Sequence, residues 1–355
     1  MSKYWSTITQ SIVPYVPGEQ PKGKKFIKIN TNENPYPPSP RVLEAIHKVE
    51  AGTLRLYPDP LCHELRKAIA QQYGLSIEQV FVGNGSDEVL AFAFMAFYNP
   101  GNPILFPDVS YTFYPVYSSL FQLEHHKVFL NEDFSLPVEA FLQGNGGIVI
   151  ANPNAPTGCY LPICDIRRIL DGNLDQVVLI DEAYIDFGGE SAACLIPEYP
   201  NLLVVHTLSK SHSLAGLRVG FALGQKELIQ GLDRIKNSFN SYTLDCIAQV
   251  AACAAIQDEE YFELNRNKVM VTRDRVSHRL LQMGFTVVPS MANFILISHA
   301  ALSAQVLFHG LREKGVLVRY FDLLRIDNYL RISMGTDEDM NIFLQILSEL
   351  MEQKK

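Results

Sequence analysis

The chain has 355 residues, 47% of them hydrophobic and 19% charged, and a formal net charge of −8. That length fills one large core and a second, smaller one, and the composition excludes a disordered chain. The acidic balance, with Lys and Arg scattered singly, gives no basic face for nucleic acid, and no stretch nears the ~20 apolar residues of a membrane span.

Residues 1–40 are rich in Pro, Gly and Asn and read as an extended arm without a core of its own. Helical periodicity begins over 40–49 and returns over 61–73. Short apolar runs then read as buried strands: Val80–Val82, Ile104–Phe106, His126–Phe129, Ile148–Ala151, Val177–Ile180, Leu202–His206 and Val219–Leu223. They lack polar alternation, and several are separated by helical patterns. This predicts a mostly parallel sheet of seven strands between helices, an α/β class. Residues 226–281 are mainly helical. Strands at Thr286–Val288, Phe294–Ile297, Val316–Arg319 and Leu330–Ser333, with helices over Ala304–Lys314 and Asp337–Met351, make a second, smaller αβ domain.

Residues 1–15 hold no basic region followed by a long apolar run, so the expectation is a soluble, cytoplasmic protein with neither membrane nor nucleic-acid partners. Cys62, Cys159, Cys164, Cys194, Cys246 and Cys253 form no C-x-x-C pair and read as small residues of a reduced core. Cys159 with Cys164 lacks the second pair of ligands that zinc needs, so no metal is expected.

Three features carry chemistry. Gly83-Asn84-Gly85-Ser86-Asp87-Glu88 follows one strand and opens a helix, where free N–H groups favour an anion. The third glycine of the dinucleotide fingerprint and the lysine of a P-loop are both missing. Asp181-Glu182-Ala183-Tyr184 follows a second strand, at the end where open sheets bind ligands. Lys210 ends Thr207-Leu208-Ser209-Lys210 after a third strand, where partial desolvation makes a lysine nucleophilic. Each has an ordinary alternative: a capped turn, a helix-start acid, a solvated surface lysine. Together they are the set that pyridoxal 5′-phosphate (PLP) requires, namely a phosphate cradle, an acid for the ring nitrogen and a lysine for the Schiff base.

At these residues the sequence resembles the fold-type I PLP aminotransferases, most of all the histidinol-phosphate aminotransferase branch. The motifs are NENP (Asn32–Pro35), YPDP (Tyr57–Pro60), GNGSDE, NPNAPTG (Asn152–Gly158), DEAYIDF (Asp181–Phe187), TLSKSHSLAGLRVGF (Thr207–Phe221) and YLRISMGT (Tyr329–Thr336). The resemblance implies an N-terminal arm over 1–29 that packs with the small domain and a partner subunit, a large PLP domain over 30–255 and a small domain over 256–355. It implies that Lys210 forms the internal aldimine and then moves the substrate proton. Asp181 would pair with the ring nitrogen, Tyr184 with the phenolic oxygen, and Tyr111 would stack on the ring. Ser86, Asp87, Ser209 and Arg218 would hold the phosphate. Tyr57 would reach the phosphate of the partner subunit, in a homodimer.

One departure stands out. The family has Asn immediately before Pro-Thr-Gly, on the phenolic oxygen, where this chain has Ala155. Either Asn154, one residue earlier, substitutes, or Tyr184 serves alone. For the substrate, the resemblance places Arg331 on an α-carboxylate or phosphate, with Arg319 and Tyr15 as the phosphate clamp of the histidinol-phosphate branch and Asn34 nearby. The implied reaction is L-histidinol phosphate with 2-oxoglutarate, in ping-pong order, giving imidazole-acetol phosphate and glutamate in histidine biosynthesis. An aromatic amino-acid aminotransferase and a threonine-phosphate decarboxylase share much of this pattern. A non-catalytic PLP-binding regulator fits poorly with an intact Lys210, Asp181 and Tyr184.

Overall fold

The computed structural model describes residues 2–21, 26–143 and 146–352. In chain order the strands are β1 (Ile27–Lys28), β2 (Val80–Gly83), β3 (Ile104–Pro107), β4 (His125–Val128), β5 (Ile148–Ala151), β6 (Val178–Asp181), β7 (Leu202–Thr207), β8 (Gly220–Gly224), β9 (Thr286–Val287), β10 (Phe294–Ser298), β11 (Val316–Leu317), β12 (Arg319–Tyr320) and β13 (Leu330–Ser333). The α-helices are α1 (Thr7–Ser11), α2 (Pro40–His47), α3 (His63–Tyr73), α4 (Gly85–Phe97), α5 (Phe113–Leu120), α6 (Ile163–Asp171), α7 (Lys226–Phe239), α8 (Cys246–Ile256), α9 (Glu259–Gln282), α10 (Ala304–Glu313) and α11 (Asp337–Glu352).

Seven strands form one sheet in the order β2-β8-β7-β6-β5-β3-β4. All neighbours are parallel except β8, which runs antiparallel to both β2 and β7. Strand side chains alternate between two cores. Ile148, Ile150, Val178, Ile180, Leu202 and Val204 join one cluster, while Val149, Leu179, Leu203 and Val205 join the other. Both faces are therefore apolar, which explains unbroken hydrophobic runs in the sequence. The edge strand β4 is only half-buried and pairs from His125, one residue before the expected start.

The smaller αβ unit has an antiparallel sheet in the order β12-β13-β10-β9. Its core joins Ile295, Ile297, Leu330 and Ile332 to Val276 and Leu280 of α9, Leu311 of α10 and Phe343 of α11. The run expected as one strand over Val316–Arg319 is two. Val316 and Leu317 pair with β1, and Arg319 and Tyr320 pair with β13, so the chain changes partner at Val318. The arm is also more ordered than its Pro and Gly content predicts. Ser6 caps α1 by accepting from Thr9 N–H, and β1 pairs with β11 in parallel. Residues 22–25, part of the predicted arm, lie outside the described residues.

The cysteine expectation needs correction. All six are free, but only Cys62 is buried, and Cys164 and Cys194 are exposed. No helix among the described residues is long and apolar enough to cross a membrane. No cluster of three or more His, Cys, Asp or Glu suited to a metal occurs among them.

Candidate active site

The carboxyl ends of β5, β6 and β7, the start of α4, strands β12 and β13 and the arm all contribute to one cleft. Tyr15, Ser86, Asp87, Tyr111, Asp181, Tyr184, Ser209, Lys210, Arg218, Arg319 and Arg331 line it. Parallel topology explains the gathering, because it places several strand ends at one edge of the sheet.

Lys210 lies just beyond β7, with Nζ donating to Thr31 O at 3.3 Å and 5.9 Å from the Tyr184 ring centre. Burial, reinforced by the nearby Arg331 charge, brings its ammonium down to about 8. Asp181 ends β6. Its Oδ2 accepts from Tyr114 Oη at 2.8 Å and its Oδ1 from Ala183 N–H at 3.2 Å. Burial still outweighs these bonds and raises its carboxyl to about 6. A cation set against Asp181 would restore its charge.

The anion cradle is built by glycine. A Cβ on Gly85, whose φ is +80°, would lie 2.4 Å from Arg218 Nη2, and one on Gly220 would lie 2.3 Å from Ser86 N. No side chain caps α4, since Asn84 turns its amide to Thr243 O. The N–H groups of its first turn thus stay available to an anion. Arg218 donates to Asp87 Oδ2 at 2.8 Å and approaches Ser209 Oγ at 3.4 Å, and Tyr111 Oη donates to Asp87 Oδ1 at 2.8 Å. Asp87 so ties the aromatic wall to the cradle. Burial first, then Asp87, pushes the Tyr111 phenol well above its usual range.

Arg331 is packed between Phe294 and Phe321, and its Nη2 donates to Asn30 O at 2.9 Å. Its buried Nε has no partner among the described residues. Arg319 lies over Phe321 at 5.4 Å, with Nη2 3.5 Å from Val16 O. Tyr15 stacks on Phe113 at 4.6 Å. An acid-paired ring site, a glycine cradle and two guanidiniums with donors to spare suit a phosphorylated pyridine cofactor and an anionic substrate.

Asn154 and Asn34, expected in the site, do not line the cleft, and Tyr57, expected in the partner's site, lies outside it too. Asn154 has both ends of its amide engaged, donating to Val109 O and Thr157 Oγ1 at 2.9 Å and accepting from Ser110 Oγ at 2.8 Å. Asn34 donates to Lys210 O at 3.0 Å and Ser211 O at 3.1 Å, so it braces the lysine loop. Tyr57 is 81% exposed and stacks on Tyr242 at 4.5 Å. Sequence reasoning missed Tyr114, Phe321 and Asn32. Tyr114 follows Tyr111 by one helical turn, a spacing that offered a clue. Asn32 sits in the NENP motif, but its contact with Tyr184, 152 positions away, has no local signal.

The family model "Aminotransferase class I and II" matches residues 24–347. The chain belongs to that family. It is 58% identical over 351 residues to the histidinol-phosphate aminotransferase of Clostridium botulinum, covering 99% of each chain. It is equally identical over 349 residues to that of Clostridium acetobutylicum, covering 98% of this chain and 99% of the relative. Among solved structures it resembles histidinol-phosphate aminotransferase from Sinorhizobium meliloti in complex with pyridoxal-5′-phosphate. The TM-score there is 0.89, with 25% identity, covering 100% of this chain and 99% of the other. A tetra mutant of Thermus thermophilus aspartate aminotransferase shares the fold, with a TM-score of 0.83 at 21% identity, covering 98% of this chain and 100% of the other.

Proposed function

We propose that this chain is the PLP-dependent aminotransferase of histidine biosynthesis that moves the amino group of L-histidinol phosphate to 2-oxoglutarate. One observation carries the substrate assignment: Arg319 and Arg331 line the same cleft as Lys210 and Tyr15. Two guanidiniums suit a phosphate monoester better than one does, because the charge and acceptor count are higher. The relatives above 50% identity carry the same activity in their names.

When bound, the cofactor supplies an electron-withdrawing ring that acidifies the amine-bearing carbon of the substrate. In this reading Asp181 holds a proton on the ring nitrogen, Tyr184 donates to the phenolic oxygen, and Tyr111 covers the ring. Ser86 and Asp87 N–H, Ser209 and Arg218 bind the phosphate. Lys210 Nζ is the covalent anchor and the base that moves the substrate proton. Its lowered affinity for a proton fits both tasks. Arg331 and Arg319 orient substrate phosphate in one half-reaction and glutamate carboxylates in the other.

The molecule is proposed to be a homodimer divided into an arm over 1–29, a large domain over 30–255 and a small domain over 256–355. Tyr57 would cross to the partner's site, a reading supported by its exposure beside the exposed Leu54, Leu56 and Leu61. The deciding assay compares histidinol phosphate with phenylalanine as amino donors to 2-oxoglutarate. A far higher kcat/KM for histidinol phosphate is expected, and a preference for phenylalanine would overturn the assignment.

A further inference from the structure

Tyr184 reaches the cleft without the asparagine that the family pattern places before Pro-Thr-Gly. The residue there is Ala155, which packs in an apolar cluster with Ala292, Phe294 and the Tyr184 ring. Asn154 is committed elsewhere. Among the described residues the Tyr184 hydroxyl has one hydrogen-bond partner. Asn32 Nδ2 donates to Tyr184 Oη at 3.0 Å, and Asn32 itself lines the cleft.

The direction of that bond is fixed from behind. Asn32 is 1% exposed and Ser333 2%. Ser333 Oγ accepts from Asn32 N–H at 2.9 Å and donates to Asn32 Oδ1 at 2.8 Å. Rotating the Asn32 amide by half a turn would leave the buried Ser333 proton without its acceptor, a cost comparable to a lost hydrogen bond. The backbone of Asn32 is pinned as well, since its carbonyl accepts from Asn293 Nδ2 at 3.0 Å. Asn32 therefore faces Tyr184 with a donor. A phenol oxygen that accepts one proton keeps its own proton free for another acceptor, and a chain of donors strengthens the last link.

We propose that Asn32, held by Ser333, is a positioning residue that turns the Tyr184 proton into the cleft and so compensates for Ala155. The target is the cofactor's phenolic oxygen, so the inference rests on the reading of Lys210 as the cofactor's anchor. The ordinary role for Asn32 is to hold the arm against β13. That role predicts lost stability alone, with no effect on the cofactor's titration.

The test uses the holoenzyme and the pH titration of its visible absorption. A donor on the phenolic oxygen competes with the proton shared between that oxygen and the lysine-derived nitrogen, which lowers the midpoint. Tyr184→Phe should raise it by roughly one pH unit, the size of one neutral hydrogen bond expressed as proton affinity. Asn32→Gly, tolerated because φ there is +56°, should raise it in the same direction, and Ser333→Ala by less. In the Tyr184→Phe background the Asn32→Gly change should add nothing. Wild-type midpoints in both Asn32→Gly and Ser333→Ala, or an Asn32→Gly shift that persists additively without the Tyr184 hydroxyl, would overturn the proposal. Failure of the underlying reading shows differently: wild type with added PLP would have no visible band that borohydride reduces onto Lys210. If Asn32→Gly does not fold, Ser333→Ala alone decides by the same shift.

Discussion

Arg319 and Arg331 are register partners across the antiparallel pair β12–β13, so two guanidiniums stand opposite each other with Phe321 beside both. Like charges directly opposite are unfavourable in a sheet unless an anion joins them. Burial, and then Arg319, makes Arg331 hold its proton less tightly than an ordinary arginine does. The pair therefore carries a repulsion that a dianion bound between them would relieve. Arg319→Ala should cut kcat/KM for histidinol phosphate by about ten- to a hundredfold, the worth of one charge-assisted hydrogen bond. An aromatic amino acid should lose much less. Equal losses for both donors in parallel steady-state assays would remove Arg319 from phosphate recognition.

The amine of Lys210 sets a pH dependence. Its pKa lies near 8 against an ordinary 10.5. At pH 7 roughly a tenth of it is neutral, against roughly three in ten thousand for an ordinary lysine. Capture of PLP by the apoprotein should then quicken about tenfold per pH unit up to about 8 and level off above. A stopped-flow rate that still climbs steadily toward pH 10 would contradict this. The linkage has a matching sign. Between pH 8 and 10.5 the unfolded chain binds more protons at this site than the folded one, so the apoprotein gains stability there as pH rises.

Gly220→Ala should damage the cradle through the backbone. The new Cβ would meet Ser86 N at 2.3 Å and Gly85 C at 2.4 Å, neither of which can rotate away. A destabilisation of about 1–3 kcal/mol is expected, with weaker PLP binding by titration. Gly216→Ala is the control, since nothing lies within 4 Å of its Cβ. Thermal melts that show equal effects for the two would refute the cradle argument.

Tyr57 provides a test by complementation. Sedimentation should give a dimer, and both Tyr57→Ala and Lys210→Ala homodimers should be impaired. Mixed subunits should recover activity, because the Tyr57→Ala subunit keeps Lys210 and borrows an intact Tyr57 from its partner. Mixtures no more active than the parents would place Tyr57 outside the partner's site.

The sheet and the residues it gathers in the cleft were legible because they are written locally. Runs such as Leu202–Thr207 are apolar throughout, and Asp181 and Lys210 stand at strand ends where period and punctuation are clear. The cradle was legible from Gly85 and Ser86 for the same reason. What escaped depends on long-range contact. Asn154 and Asn34 are polar residues in the NPNAPTG and NENP motifs, yet backbone carbonyls and neighbouring hydroxyls claim their amides. Asn32, in the same string as Asn34, takes the place in the cleft because its left-handed backbone turns it toward Tyr184. The split at Val318 was hidden because the run Val316–Arg319 has no turn residue in it, and only the partner strands differ.

Gly220 is the register partner of Gly83 on one side and Thr207 on the other. The strand that carries it lies between the anion turn and the lysine loop, yet it follows both in sequence. A growing chain that has already made Lys210 therefore cannot bring the two halves of its site to their working separation until Gly220–Gly224 has left the ribosome and slid between them. A chain that ended before β8 would hold a lysine and a cradle with nothing to set the distance between them.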